Sequence, residues 1–300
     1  MKKFSDIFLK TKGDSAPFFS CKVEENGVNY FKTEYQNFHN GEKMKIHIFG
    51  CLSGTEPMQN KHHTSWALEL HDTLYMFDAG DNCGHTAFLK GLDLTKIRAL
   101  FISHPHRDHI DGLFHLTGVI CKVLELDPAR PPVTLPVYTS EKRLVPAINT
   151  LIDINGKHPY FTLLHKDFSK AGIIFSDENM EITVIGTNHM EKDADGVFRS
   201  WSFRIKAEGK TIIYSGDVKS PDELDIFLKD GCDYVLMESG HHNPPEVCKK
   251  WKEAGYKIGN LLFLHHGRHF LRDEEKCFAL CKEVRGENIA FAYDGMTVEV

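Results

Sequence analysis

The sequence predicts an α/β protein built as a four-layer αββα sandwich, two sheets face to face with helices outside. Three observations lead there. Short apolar runs of strand length recur in two halves of the chain, helical stretches fall between them, and the densest polar clusters come directly after strands. That last position is where α/β sheets place their ligands. A 300-residue chain with 41% hydrophobic residues can also build a sizeable core.

The elements follow in order. Residues 1–43 are polar and irregular apart from Phe18, Phe19, Tyr30, Phe31 and Tyr35, and read as an N-terminal extension whose aromatics pack on a main body over 44–300. Met44–Phe49 alternates with period two and stops at Gly50, which marks a strand. Trp66–Leu70 and Thr73–Phe77 read as a hairpin turning at His71 and Asp72. A short helix is expected over Thr86–Lys90, and the continuous apolar run in Arg98–Ser103 predicts a strand buried on both faces. In the second half, Glu181–Ile185, Trp201–Ile205 and Lys210–Tyr214 read as strands, the last two joined by the turn Glu208-Gly209. Asp233–Glu238 and Asn260–Leu264 are apolar strands around a helix over Pro245–Ala254. A helix over Arg272–Glu283 and strands at Ile289–Tyr293 and Thr297–Val300 close the chain.

Charge and composition narrow the function. Lys and Arg number 36 against 42 Asp and Glu, a net charge of −6, which argues against binding nucleic acid through a basic surface. No apolar run reaches the roughly 18 residues of a membrane span. Asp6, Lys10, Lys12 and Asp14 break up any signal-peptide core, so a cytoplasmic protein is expected. Eight cysteines include no C-x-x-C pair and read as reduced structural thiols; Cys277 and Cys281 would share one helix face. The composition stands out in its 18 histidines, several tightly clustered. They suggest metal.

The densest cluster is Ser103–Gly112, which holds His104, His106, Asp108 and His109 directly after a strand. Three imidazoles and a carboxylate so close together would crowd one tetrahedral ion but can serve two. Donors of this kind without thiolate suit zinc, iron or manganese. A lone histidine such as His47, His115 or His158 reads instead as a surface or satisfied core residue. His189, Asp217 and the group His265, His266 and His269 gain meaning from their shared position after strands.

In these motifs the chain from about Met44 to Val300 resembles the metallo-β-lactamase-fold hydrolases, most closely their ribonuclease Z and cyclic phosphodiesterase branch. The resemblance rests on Phe49–Pro57, Phe77–Gly80, His104–His109, His189, Ser215–Asp217 and Leu264–His266. It implies two divalent ions, zinc first and manganese or iron as alternatives. His104, His106 and His189 would bind one, Asp108, His109 and His265 the other, and Asp217 would bridge them. Asp78 would hold the metal loop from behind, as such carboxylates orient ligating rings. His265 is preferred over His266 because in the similar enzymes the ligand directly follows the strand, with His266 in support.

The chemistry then expected is hydrolysis. Two dications lower the pKa of a water between them and stabilise charge building on phosphoryl or carbonyl oxygens. Asp108 would also orient the nucleophile. Glu238 with His241 or His242 would supply a proton to the leaving group, although ribonuclease Z places its helper histidine later in the chain. The segment Leu113–Met180 has no Gly-rich basic insertion to clamp RNA, so a small anionic diester or a cyclic nucleotide ranks ahead of nucleic acid. Carboxylic ester, lactone or thioester hydrolysis is the alternative on the same site. A binding scaffold without activity is disfavoured because every ligand position is filled. A homodimer is compatible with the sequence. His241, His242, His266 and His269 are expected to line one cleft, made locally positive by the bound ions.

Overall fold

The computed structural model describes residues 44–54, 58–59, 61–156 and 158–300. The extension expected over residues 1–43, and the end of the Phe49–Pro57 motif, lie outside the described residues. The first half contains β1 (Lys45–Gly50), β2 (Ser65–Leu70), β3 (Thr73–Phe77), α1 (Cys83–Leu89), β4 (Ile97–Phe101), α2 (Arg107–Ile110), α3 (Leu113–Leu126), β5 (Val133–Thr139), α4 (Leu144–Asn155) and β6 (Phe161–Asp167). The second contains β7 (Gly172–Ser176), β8 (Met180–Thr187), β9 (Ser200–Ala207), β10 (Lys210–Tyr214), α5 (Asp225–Leu228), β11 (Cys232–Ser239), α6 (Pro244–Glu253), β12 (Ile258–His266), α7 (Arg268–Leu271), α8 (Glu274–Arg285), β13 (Ile289–Phe291) and β14 (Thr297–Glu299).

Two mixed sheets result. The first runs β14-β1-β2-β3-β4-β5-β6 and the second β13-β12-β11-β10-β9-β8-β7. In the first, β14, β1, β2 and β3 pair antiparallel and β3 through β6 pair parallel. In the second, β7 through β10 pair antiparallel and β10 through β13 parallel. The strands that matter for the site, β3 and β4 in one sheet and β8, β10, β11 and β12 in the other, therefore share a direction within their sheet. Their carboxyl ends gather the polar clusters.

Alternation along the strands builds the layers. In β3, Tyr75 and Phe77 enter the core between the sheets, while Leu74 and Met76 face the outer layer with α1, α3 and α4. In β12, Leu262 and Leu264 enter the inter-sheet core, while Leu261 and Phe263 pack with α6 and α8. Both faces are covered, which explains the continuous apolar runs. Each such side chain stabilises the fold by about 1.5–3 kcal/mol relative to exposure. Trp66 and Phe77 stack at 4.2 Å across the middle of the core, with Tyr214 edge-on to Trp66 at 5.4 Å. Cys277 and Cys281 are both buried on α8.

The αββα expectation holds, and two local differences have physical reasons. The sequence pattern marks no element between Leu113 and Met180, yet α3, β5, α4, β6 and β7 lie there. Pro136 disguises β5, because proline cannot donate to a ladder. Here the pairing with β4 begins only at Val137, so no bond to that neighbour is lost at Pro136. Helix α1 starts at Cys83, three residues before the expected Thr86, behind the left-handed Asn82 at φ 61°. Among the described residues no helix is long and apolar enough to cross a membrane.

Candidate metal centre

The site starts from Asp78, the first residue after β3. Its carboxylate is fully buried and accepts from Ser103 N at 2.7 Å, Ser103 Oγ at 2.8 Å, His109 Nδ1 at 2.8 Å and Tyr214 Oη at 2.6 Å. One carboxylate thus ties the end of β4, the turn α2 and the end of β10 together.

On that anchor the predicted residues converge in two groups. His104, His106, His189 and Asp217 offer ligand atoms within 4.8 Å of one another, as do Asp108, His109 and His265. In the first group, His106 Nδ1 lies 3.0 Å from His104 Nε2 and 3.1 Å from His189 Nε2. Asp217 Oδ2 is 3.6 Å from His104 Nε2 and 3.5 Å from His189 Nε2. In the second, Asp108 Oδ2 is 3.0 Å from His265 Nε2 and 3.5 Å from His109 Nε2. Asp217 Oδ1 faces His109 Nε2 at 3.5 Å and His265 Nε2 at 3.4 Å.

Local backbone explains the division between His265 and His266. The β11–β12 register shifts between Glu238 and Ser239, leaving His265 as an extra residue at φ 52°. This bulge aims His265 at Asp108 and Asp217. His266 turns the other way: its ring nitrogens face Ser239 Oγ and Ala292 O at 2.8 Å each, and its ring packs on Phe270. Neither partner is a predicted ligand, so His266 is buried in the fold rather than lining the cleft with His241. His269 is exposed. Gly240 leaves room for the bulge, since a Cβ there would stand 2.6 Å from His265 Nδ1.

Beside the two groups, both oxygens of the fully buried Glu238 lie 3.1 Å from His241 Nδ1. His241 Nδ1 is 3.8 Å from Asp217 Oδ2, and its side chain is 45% exposed, open to a substrate. His242 Nε2 is instead engaged with Val218 O at 3.0 Å. Asp217, His241 and His265 form a third set with ligand spacing.

A family model described as the beta-lactamase superfamily domain matches residues 74–287, which span these motifs. The chain belongs to that superfamily. Among curated superfamily relatives, a ribonuclease Z from Bacteroides fragilis is 28% identical over 205 residues, covering 66% of this chain and 62% of that protein. A ribonuclease Z from Treponema denticola is 30% identical over 152 residues, 49% of this chain and 45% of that one. The chain thus spans less than two thirds of the length of these relatives. The metallo-β-lactamase fold protein YhfI from Bacillus subtilis superposes with TM-score 0.66 at 20% identity, covering 86% of this chain and all of that one. Human tRNase Z, short form, gives 0.61 at 15% identity, covering 85% of this chain and 99% of that one. These two show the metallo-β-lactamase fold.

In this superfamily chain the donor set fits metal ions. Ligands about 2.0–2.1 Å from a tetrahedral ion stand about 3.4 Å apart, close to the 3.0–3.6 Å spacings of the first group. Among the described residues, His109 Nε2 and Asp217 Oδ1 are buried without a hydrogen-bond partner, and each faces the second group. Such orphaned atoms are costly unless a ligand satisfies them.

The electrostatics agree. Burial disfavours a proton on His265, yet Asp217, Asp108 and Glu238 outweigh it and raise the ring to about 9. Burial likewise opposes the charge on His109, but Asp78 and Asp217 raise it well above the usual range. Burial would raise Asp217 and Glu238, and the neighbouring imidazoles hold both down. His104, with less carboxylate around it, is pushed down by burial and by His109. The superfamily motifs thus create a pocket whose carboxylates call for positive charge, which dications would supply.

The sequence gives Ser103 no role beyond heading the His104–His109 cluster and does not point to Tyr214, yet both are bonded to Asp78. A signal existed, since Tyr214 immediately precedes Ser215–Asp217 at a strand end. Nor does the sequence point to Asp294, which accepts from Cys51 N at 3.1 Å and His62 N at 2.5 Å. That grip holds the loop whose Gly54 N–H reaches Asp108 Oδ2 at 2.7 Å.

Proposed function

We propose that the chain is a metal-dependent phosphodiester hydrolase with a dinuclear centre, its hydrolase domain spanning residues 44–300. His104, His106 and His189 would hold one ion, Asp108, His109 and His265 the other, and Asp217 would serve both. The observation that carries this reading is the division of Asp217, with Oδ2 toward His104 and His189 and Oδ1 toward His109 and His265. Zinc leads, with manganese or iron as alternatives, because the donors are imidazole and carboxylate.

When bound, the ions supply a water of lowered pKa and charge stabilisation for the phosphoryl oxygens. The chain's own residues do the rest. Asp108, fixed by Gly54 N–H, orients the attacking water. Glu238 keeps a proton on His241 Nδ1 and raises the affinity of that ring for protons, with burial opposing it. His241 then gives a proton from its other nitrogen to the leaving alkoxide. His242, already committed to Val218 O, is the weaker candidate.

The substrate class we favour is a small diester or cyclic nucleotide. Leu113–Met180, the stretch in which an RNA-clamping arm would be sought, is taken up by α3, β5, α4, β6 and β7 of the sandwich itself. RNA, the substrate named for the ribonuclease Z relatives, ranks second.

The deciding experiment offers a diester (bis-p-nitrophenyl phosphate), a cyclic nucleotide, a lactone and a thioester to wild type and His106→Ala, with zinc or manganese present. Diester or cyclic nucleotide turnover that disappears in His106→Ala supports the proposal. Rapid lactone or thioester opening without diester turnover would replace it with carboxylic ester chemistry on the same residues.

A further inference from the structure

Ser220–Glu223 has the pattern of a helix start, and locally it behaves as one. Ser220 caps the short 3-10 turn Pro221–Leu224, and Glu223 returns to the Ser220 backbone in a capping box. That bond is long, 3.4 Å from Ser220 N to Glu223 Oε2. The shorter contacts of the same carboxylate go elsewhere. Oε2 accepts from Lys219 N at 2.8 Å, and Oε1 accepts from Asn188 N at 2.8 Å and Asn188 Nδ2 at 2.6 Å.

Asn188 immediately precedes His189, and Lys219 lies two residues beyond Asp217. The β8–β9 ladder ends at the pair Thr187 and Ser200, so the Asn188 N–H stands past the last rung. Glu223 accepts it. A second tie, Thr187 Oγ1 to Asp217 O at 2.9 Å, joins the same two loops from the buried side. Each oxygen of Glu223 therefore grips one loop, and each loop delivers one member of the His104, His106, His189 and Asp217 group.

We infer that Glu223 is a positioning residue for the metal centre, holding the His189 loop against the Asp217 loop so that both reach the same ion. This rests on the proposed function, which makes His189 and Asp217 ligands. A carboxylate that only capped the turn would stabilise the fold and leave metal binding untouched. A positioning carboxylate behind metal ligands changes affinity by about 10- to 100-fold.

The test compares wild type, Glu223→Ala, Glu223→Gln and Ser220→Ala by zinc titration against a competing chelator, by metal content after dialysis, and by the absorption spectrum of the cobalt-loaded proteins. Thermal unfolding in excess chelator reports the metal-free fold. Expected for Glu223→Ala is a 10- to 100-fold weaker binding of one of the two ions and an altered cobalt spectrum, with metal content falling from two toward one per chain. Glu223→Gln should fall between, because its amide nitrogen cannot accept from Lys219 N. Should Glu223→Ala fail to fold, this isosteric variant carries the comparison. Ser220→Ala should keep both ions.

Affinities and spectra of both Glu223 variants equal to wild type would overturn the inference. So would equal metal loss in Ser220→Ala, which would reduce Glu223 to a cap. Wild type that binds no ion would remove the metal centre itself, an outcome distinct from the other two.

Discussion

Asp78 and His109, both fully buried, are joined by a 2.8 Å hydrogen bond from Nδ1 to Oδ2. With one proton fixed on Nδ1 by this bond, Nε2, the orphaned atom facing Asp108 and Asp217, is the nitrogen that would give its lone pair to a metal ion in place of the ring's second proton. Asp78→Asn separates this electronic role from the backbone one. Asparagine tolerates the left-handed φ of 54°, and its oxygen can still accept from Ser103 N. Its amide group would, however, present a donor to His109 Nδ1 and favour the tautomer with the proton on Nε2. We expect a folded protein with zinc affinity lowered by about 10- to 100-fold, measured by competition with a chelating dye. Unchanged affinity would remove Asp78 from the account of the centre.

The Glu238–His241 pair makes a prediction that depends on the leaving group. If His241 protonates a leaving alkoxide, His241→Ala should lower kcat by about 10²- to 10⁴-fold on a diester with an alkyl leaving group. With p-nitrophenolate, which leaves without help, the loss should be much smaller. His242→Ala should affect both substrates little. Equal losses on the two substrates together with lower metal content would instead make His241 a ligand, as its place in the set with Asp217 and His265 allows.

How much of this was legible depended on how local each signal was. His104, His106, Asp108 and His109 lie on one loop after one strand, so spacing alone exposed them. His189 and Asp217 carry no local pattern; only their order after strands, read through the resemblance, singled them out. The choice between His265 and His266 rests on a bulge, which sequence does not show. Glu223 escaped because its partner Asn188 is 35 residues away and Ser-Pro-Asp-Glu reads as a solvated helix cap. The β5 strand escaped because Pro136 argues against a central strand unless the ladder with β4 is known to start after it. The long-range pairing that makes these exceptions affordable is a property of the fold.

Away from the metal centre, the approach to β4 gives a prediction about stability and pH. Arg130 Nη1 donates to Asp93 Oδ2 at 2.6 Å, and Asp93 Oδ1 accepts from Thr95 N at 3.1 Å and Thr95 Oγ1 at 2.6 Å. These bonds fix the turn Leu94–Lys96 that leads into the strand delivering His104. Burial raises the Asp93 carboxyl, but Arg130 and Thr95 more than offset it and hold it below the usual range. Its folded pKa is thus depressed, so its contribution is present above the unfolded value of about 3.9 and is lost as pH falls through the folded value. Arg130→Gln should cost about 0.5–1 kcal/mol at pH 7, a modest figure because the pair is partly exposed and screened. The difference from wild type should shrink as pH drops below about 4. Urea unfolding of both proteins at a series of pH values would read this directly, with Asp93→Asn as the control in which the Arg130 substitution has little further effect. A stability difference that stayed constant down to the lowest pH would show that Arg130 acts through packing or through Asp127, and not through the charge on Asp93.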